Sequence, residues 1–147
     1  MNVKAVLESH KDIDNRIYLD LEELVFLRAL STQVTKTFAE DQTRGTGRHS
    51  DRVGEYSARI VDLKNTILKE LEELVVARHK IKALTKALDN ESERIILERI
   101  YICHETYEDA AAKLGYSPRH AHRLGSAALK KLQDIYSDKN IDEIEVA

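Results

Sequence analysis

The chain has 147 residues, which is enough for one compact domain or for a small domain joined to an extended helical part. Its residues are 33% charged, Trp is absent, and there are one proline and five glycines, a composition that favours long helices over sheets. No apolar run approaches the ~18 residues needed to cross a membrane, and the N-terminus lacks the apolar core of a signal peptide. We therefore expect an all-α, cytoplasmic protein that does not bind membranes.

The first predicted element is an amphipathic helix from about Ser9 to Ala39. Its apolar residues recur at intervals of three and four, which is the spacing of one helical face. They are Ile13, Ile17, Leu21, Leu24, Leu27, Val34 and Phe38. The following segment, 39–51, has two glycines and no large apolar residue, and it is predicted to be a loop.

A second long helix is predicted from about Ser50-Asp51 toward Leu88. Five apolar residues recur every seven positions, with Glu70 as the single polar interruption of the stripe, and this repeat is typical of a coiled-coil seam. The five are Ile60, Ile67, Leu74, Ile81 and Leu88. We predict an antiparallel hairpin with the first helix. The additional apolar residues Leu68, Leu71 and Val75 widen the stripe, so we also expect a homodimer.

The next predicted helix begins after Asn90, because Asn90 followed by Glu93 has the spacing of a helix cap. The apolar residues after it would pack behind the C-terminal helices. Cys103, the single cysteine of the chain, lies within this apolar run and is predicted to be a buried, unreactive thiol.

Residues 106–132 predict a helix, a tight turn and a second helix. Thr106 can cap a helix over 107–114, with Asp109 at the position of a capping box. Gly115 then allows the chain to reverse direction. Ser117 and Pro118 are a preferred cap and a preferred first residue for a second helix, which is predicted from Pro118 to about Tyr136.

The spacing around Gly115 is that of a helix-turn-helix, in which small or apolar residues occupy the positions where the two helices touch. These residues are Ala111, Leu114, Tyr116, Ala121 and Leu124. The hydrogen-bonding residues left on the outer side of the second helix are Arg119, His120, His122, Arg123 and Ser126. In such motifs this surface contacts base edges and phosphates.

The charge of the same segment favours a polyanionic partner. Residues 110–133 carry a charge of +5 and no acid, whereas the whole chain carries −3. We therefore expect binding to double-stranded DNA, with two sets of contacting residues. Those expected to read bases in the major groove are Arg119, His120, His122 and Arg123. Those expected to hold phosphates are Lys113, Ser117, Lys130 and Lys131.

Residues 115–132, GYSPRHAHRLGSAALKKL, resemble the helix-turn-helix of sigma-70 region 4 and, more closely, phage and prophage regulators of the ArpU and RinA type. The matching residues are the Gly-Tyr-Ser entry, Arg119, Arg123-Leu124, and the segment 128–132. The segments LRALSTQVTKTF and DRVGEYSARIVDLKNTI also resemble a related prophage family from Gram-positive bacteria. The resemblance implies a transcriptional regulator of late genes in a bacterial host cell. Gly125 departs from the sigma-like pattern, which usually has a large apolar residue there.

The sequence predicts no enzyme, cofactor or metal site. His120 and His122 are two positions apart and diverge by about 200° on a helix, and no phosphate-binding glycine loop is present. The predicted division is a helical hairpin over 1–89, a helix-turn-helix domain over 90–136 and an acidic, frayed tail over 137–147.

Two other functions stay open. A small terminase-like packaging protein also joins a helix-turn-helix to oligomerising helices, and the motif can act as a protein-interaction module that contacts RNA polymerase. The size of the oligomer distinguishes regulation from packaging, because a regulator is expected to be a dimer and a packaging protein a ring of many copies.

Overall fold

A computed structural model describes residues 1–40, 48–140 and 143–144, without the side chains of 38–40 and 48–50. This part of the chain forms five helices and contains no strand. They are α1 (Val3–Glu40), α2 (Arg48–Thr85), α3 (Glu91–Tyr101), α4 (Tyr107–Leu114) and α5 (Pro118–Tyr136). None of the helices in the described ranges has the length and apolar character needed to cross a membrane. The predicted all-α class is confirmed.

The long helices α1 and α2 pack against each other as an antiparallel hairpin, and one compact unit comprises Asp14–Glu73. Arg16 on α1 forms an ion pair with Glu73 on α2 at 3.7 Å. The seam between the helices buries apolar residues at the predicted positions, Ile17, Leu24 and Leu27 on α1 and Ile67 on α2. The predicted hairpin is confirmed, and so is the burial of Ile67 from the seven-residue repeat. Leu21, predicted on the buried face of α1, is instead 45% exposed, and Leu88, the last residue of the repeat, lies beyond the end of α2.

The ends of the two long helices differ from the predicted ones. The first helix begins at Val3 instead of Ser9, and the second extends from Arg48 to Thr85 instead of ending near Leu88. Within the predicted loop 39–51, residues 39–40 and 48–51 are helical, so the loop was predicted too long. Its remaining residues, 41–47, lie outside the described part of the chain.

The second compact unit comprises Met1–Ile13 and Leu74–Ala147. Its larger core joins the first turns of α1, the end of α2, α3 and α5. The buried members are Val3, Leu7, Ile81, Leu84, Leu88, Leu97, Tyr101, Ala128, Leu132 and Tyr136. Gln133 on α5 donates to the Met1 carbonyl at 2.7 Å and accepts from the Val3 amide at 3.0 Å. The start of α1 is therefore part of the core that supports the C-terminal helices.

Helix α3 begins as predicted, because the Asn90 side chain accepts hydrogen bonds from the amides of Ser92 and Glu93. It ends at Tyr101, two residues before Cys103. Cys103 is exposed, and the prediction of a buried thiol is wrong. The apolar run continues past the end of the helix. Cys103 therefore lies in the turn after α3 and not on the buried face of the helix.

The C-terminal tail was predicted to be frayed or disordered. Ile144, which lies in its described part, packs against the larger core cluster, and the Glu143 amide donates to the Asn140 carbonyl at 3.1 Å. For Ile144 the prediction is wrong, because an apolar side chain in an otherwise acidic segment contributes to the core. Residues 141–142 and 145–147 lie outside the description.

Candidate nucleic-acid interface

Helix α4 begins and ends through local interactions that its sequence encodes. The Thr106 hydroxyl accepts a hydrogen bond from the Asp109 amide at 3.1 Å, and this satisfies one of the free N–H groups of the first turn. Gly115 has φ 72°, a left-handed conformation that a residue without a β-carbon adopts at little cost. The Tyr116 amide then donates to the Ala111 carbonyl at 2.9 Å, which closes the end of the helix.

Helix α5 begins two residues later in the same manner. The Ser117 hydroxyl accepts from the His120 amide at 3.2 Å, and Pro118 occupies the first turn of the helix. Both helices have the predicted bounds, Tyr107–Leu114 and Pro118–Tyr136. The Ser117 hydroxyl thus accepts one backbone hydrogen bond and keeps its O–H group available as a donor.

The inner faces of α4 and α5 meet at two alanines. Ala111 and Ala121 are both fully buried, together with Ala110 and with Ile96 from α3. Around them lie half-buried apolar residues that include the predicted Leu114, Tyr116 and Leu124. Small side chains at the centre permit the close approach of the two helices, and α3 covers the pair from behind. The predicted contact positions are therefore confirmed.

The outer face of α5 is basic. Arg119, Arg123 and Lys130 are exposed and lie at helical angles within about 40° of one another, opposite the buried Ala121. Ser126 is exposed on the same side. Among the described residues, no carboxylate lies within ion-pair distance of Arg119, Arg123 or Lys130, so these three charges face solvent without internal neutralisation.

His120 lies at the edge of this face and positions Arg123. Its ring is half-buried and meets the Tyr116 ring edge-on, with centroids 5.0 Å apart. Arg123 Nη2 lies 3.0 Å from His120 Nδ1. Because a guanidinium only donates hydrogen bonds, Nδ1 is the acceptor in this contact. The tyrosine and histidine therefore restrain the guanidinium at the N-terminal half of α5.

His122 points toward the start of α4 rather than outward with the two arginines. Its ring stacks on Tyr107, with centroids 4.1 Å apart, and its Nε2 lies 3.5 Å from Glu108 Oε1. Backbone hydrogen bonding, then the contact with His122, lowers the pKa of Glu108. His122 and Ser126 also line a cavity of about 530 Å³, together with residues at the start of α1 such as Lys4 and Leu7.

Two of the predicted phosphate-binding lysines have carboxylate partners. Lys113 donates to Glu105, which also forms an ion pair with Arg99 at 3.2 Å, and the hydrogen bond from Lys113 is the main cause that lowers the pKa of Glu105. Lys131 contacts the buried carboxylate of Glu93 at 2.8 and 2.9 Å. These ion pairs connect α4 and α5 to α3 and its following turn.

The acids that pair with the lysines were not part of the sequence prediction. Glu93 and Glu105 lie outside the acid-free segment 110–133, and they reach it through the packing of α3. Each is separated from its lysine by a turn or a whole helix, so no helical spacing indicates the pair. The basic character of the segment is consequently concentrated at Arg119, Arg123 and Lys130.

Comparison of the chain with protein-family models, with curated proteins and with solved structures finds no match. The functional interpretation therefore depends on the geometry of α4 and α5. That geometry consists of two capped helices joined by a left-handed glycine, a small-residue contact between them, and an exposed basic face on the second helix.

Proposed function

We propose that the chain is a regulator of transcription that binds specific sequences in double-stranded DNA through α5. The observation that carries the proposal is the row of Arg119, Arg123 and Lys130 on the face of α5 opposite its buried alanine. Helices in this position of a helix-turn-helix enter the major groove with their N-terminal residues toward the bases. The resemblance to phage and prophage regulators of the ArpU and RinA type supports the same function in a bacterial host cell.

Arg119 and Arg123 are the proposed base-reading residues. A guanidinium presents two parallel donors that match O6 and N7 of guanine in the major groove. The contact from Arg123 to His120 holds one of these guanidinium groups in place before DNA is bound. This reduces the side-chain freedom that binding would otherwise remove.

The proposed phosphate contacts are Lys130, the Ser117 hydroxyl and the N-terminus of α5. Phosphates are favoured at a helix N-terminus because free amides and the helix dipole point toward them. Lys113 is paired with Glu105 and Lys131 with Glu93. To contact a phosphate, each lysine would have to leave its carboxylate or bind both groups at once. We assign them a smaller part of the affinity than Lys130, and we assign His122 and Ser126 to the edge of the interface.

The same proposal includes a second copy of the chain and RNA polymerase as partners. A homodimer would place two motifs on two half-sites, as paired helix-turn-helix domains commonly do. The regulator would control late genes, and a contact with RNA polymerase is a further expected interaction. A ring of many copies in solution would instead favour the packaging function.

A binding selection from a random duplex library, performed with the full chain, tests the proposal. We expect the unaltered protein to enrich a defined sequence motif. The double variant Arg119→Ala/Arg123→Ala should no longer enrich it. The control, Lys69→Ala/Lys86→Ala, removes the same charge from an exposed position on α2 and from one in the turn that follows it, and should retain the motif. A failure to enrich any sequence, with the protein folded and the salt concentration low, would overturn the proposal.

A further inference from the structure

The hairpin of α1 and α2 exposes large apolar side chains within the compact unit 14–73. Six of them are between 41% and 69% exposed: Tyr18, Leu21, Val25, Val61, Leu68 and Leu71. We refer to these six residues as the hairpin patch. Exposed apolar patches that form a contiguous surface of several hundred Å² mark sites of protein association.

The patch residues of α1 lie on one side of the seam. Tyr18 and Val25 each follow a buried seam residue, Ile17 or Leu24, by one position. One position is a turn of about 100° around a right-handed helix. Leu21 follows Ile17 by four positions, which is a turn of about 40° in the same direction.

The patch residues of α2 bear the same relationship to its seam. Val61 and Leu68 follow the seam residues Ile60 and Ile67 by one position, and Leu71 follows Ile67 by four. Because α1 and α2 are both right-handed and run antiparallel, equal rotations away from a shared seam lead to the same face of the hairpin. The six side chains therefore share one face.

The register of the hairpin aligns the two halves of the patch. Arg16 pairs with Glu73 at 3.7 Å, and Asp20 lies beside Glu70. This register brings Leu21 to about the same height as Leu68. Tyr18 lies at about the height of Leu71 in the same alignment.

The face of the hairpin opposite the patch is polar on α2. Arg16 and Glu73 each precede a seam residue by one position, so their ion pair marks the other side of the hairpin. On that side α2 presents Asp62 and Lys69 to solvent. The exposed Leu19 and Phe26 of α1 thus have no apolar counterpart on α2. Among the described side chains of 14–73, only the face that carries the hairpin patch is apolar on both helices.

We propose that a second copy of the chain covers the hairpin patch, so that two hairpins stack into a four-helix bundle with their tips in opposite directions. Two-fold symmetry requires a self-complementary surface. With Leu68 at the two-fold axis, Lys64 of one copy reaches Glu72 of the other, and the reciprocal pair forms as well. Both residues are exposed, and both lie on the patch side of α2.

The inference rests on the homodimer of the proposed function and is independent of DNA binding. Sedimentation of the full chain measures mass, and duplex binding is measured separately, so the failure of one is distinguishable from the failure of the other. We expect a dimer for the unaltered chain. Leu68→Glu should raise the dimer dissociation constant by about 100-fold or more, because it places two carboxylates at the centre of the interface.

The matched control is Leu19→Glu, which makes the same change at an equally exposed apolar residue on the other side. It should sediment as a dimer. Circular dichroism verifies that both variants are helical. A monomeric unaltered chain, or equal loss of dimer in the two variants, would overturn the inference, as would a higher oligomer that Leu68→Glu leaves intact.

A charge-swap cycle tests the orientation of the two copies. Lys64→Glu and Glu72→Lys should each weaken the dimer by several-fold, and the double variant should restore most of its affinity. A disulfide between copies at Leu68→Cys in a Cys103→Ser background should form under mild oxidation, whereas Leu19→Cys should not form one. No restoration in the cycle together with no disulfide at position 68 would exclude this arrangement.

Discussion

The Tyr107 ring packs directly against the backbone of Gly125, so that a β-carbon added at Gly125 would lie 2.6 Å from Cε1 and 2.9 Å from Cζ of that ring. The ring also stacks on His122 at 4.1 Å, which restricts its movement. Replacing glycine by alanine inside a helix ordinarily stabilises it by roughly 1 kcal/mol. Here we expect Gly125→Ala to lower the free energy of unfolding by about 1–3 kcal/mol, because the ring must be displaced. Urea denaturation measures this change.

Gly54 provides the control for this substitution. It lies in α2, and apart from its chain neighbours and the backbone of its own helix, no atom of the described residues lies within 4 Å of a β-carbon built there. Gly54→Ala should raise the free energy of unfolding by about 0.5–1 kcal/mol. In the double variant Tyr107→Ala/Gly125→Ala, the loss should be smaller than the sum of the two single losses. A stabilising Gly125→Ala would contradict the close packing.

Arg123 and Lys130 should affect DNA binding in different ways. Arg123→Ala is expected to cost about 1–3 kcal/mol on a specific site and to relax the sequence preference at one position. Lys130→Ala should weaken binding to all duplexes equally and reduce the slope of log affinity against log salt by about one. Titrations of specific and scrambled duplexes at several salt concentrations distinguish the two. Uniform weakening by Arg123→Ala would assign that side chain to phosphate.

The adjacent lysines of α5 should differ in stability. Lys131 neutralises the buried carboxylate of Glu93, whereas Lys130 has no ion-pair partner among the described residues. We expect Lys131→Ala to lower the free energy of unfolding by about 1–3 kcal/mol, because a buried charged acceptor loses its donor. Lys130→Ala should change it by less than about 0.5 kcal/mol. Equal stability of the two variants would show that Glu93 does not need Lys131.

The local parts of this fold could be predicted from the sequence to the residue. The caps Thr106 and Ser117 and the left-handed Gly115 act within four residues, so the bounds of α4 and α5 follow from neighbouring side chains. The seven-residue repeat likewise predicts the seam of the hairpin. Both features depend on spacing along one helix or across one turn.

The features that were missed depend on residues distant in sequence. The early start of α1 is stabilised by contacts of Val3 and Leu7 with the C-terminal helices, which periodicity within α1 does not indicate. The partners of Lys113 and Lys131 lie on other elements. Gly125 departs from the sigma-like pattern because Tyr107 occupies the space of its side chain, a relationship across 18 residues.

Glu70 is the polar interruption of the seam, and it should make the stability of the hairpin depend on pH. Its side chain is buried, and Oε2 has no hydrogen-bond partner in the described part of the chain. Burial, followed by the neighbouring Asp20, raises the pKa of Glu70 above its ordinary value of 4.5, although Arg16 opposes this. The folded state therefore retains a proton on Glu70 that the unfolded state has released. Stability from this group is present below pH 4.5 and is lost as the pH rises through the raised pKa.

Glu70→Gln keeps the shape of the side chain and removes its charge, so it should stabilise the hairpin at pH 7 and have little effect at pH 4. We expect a rise in Tm on the order of 2–5 °C at pH 7, measured by circular dichroism. Glu73→Gln is the control, because its carboxylate is exposed and pairs with Arg16; it should not raise the Tm at either pH. An equal gain from Glu70→Gln at both pH values would mean that packing, and not the charge, limits stability at this position of the seam.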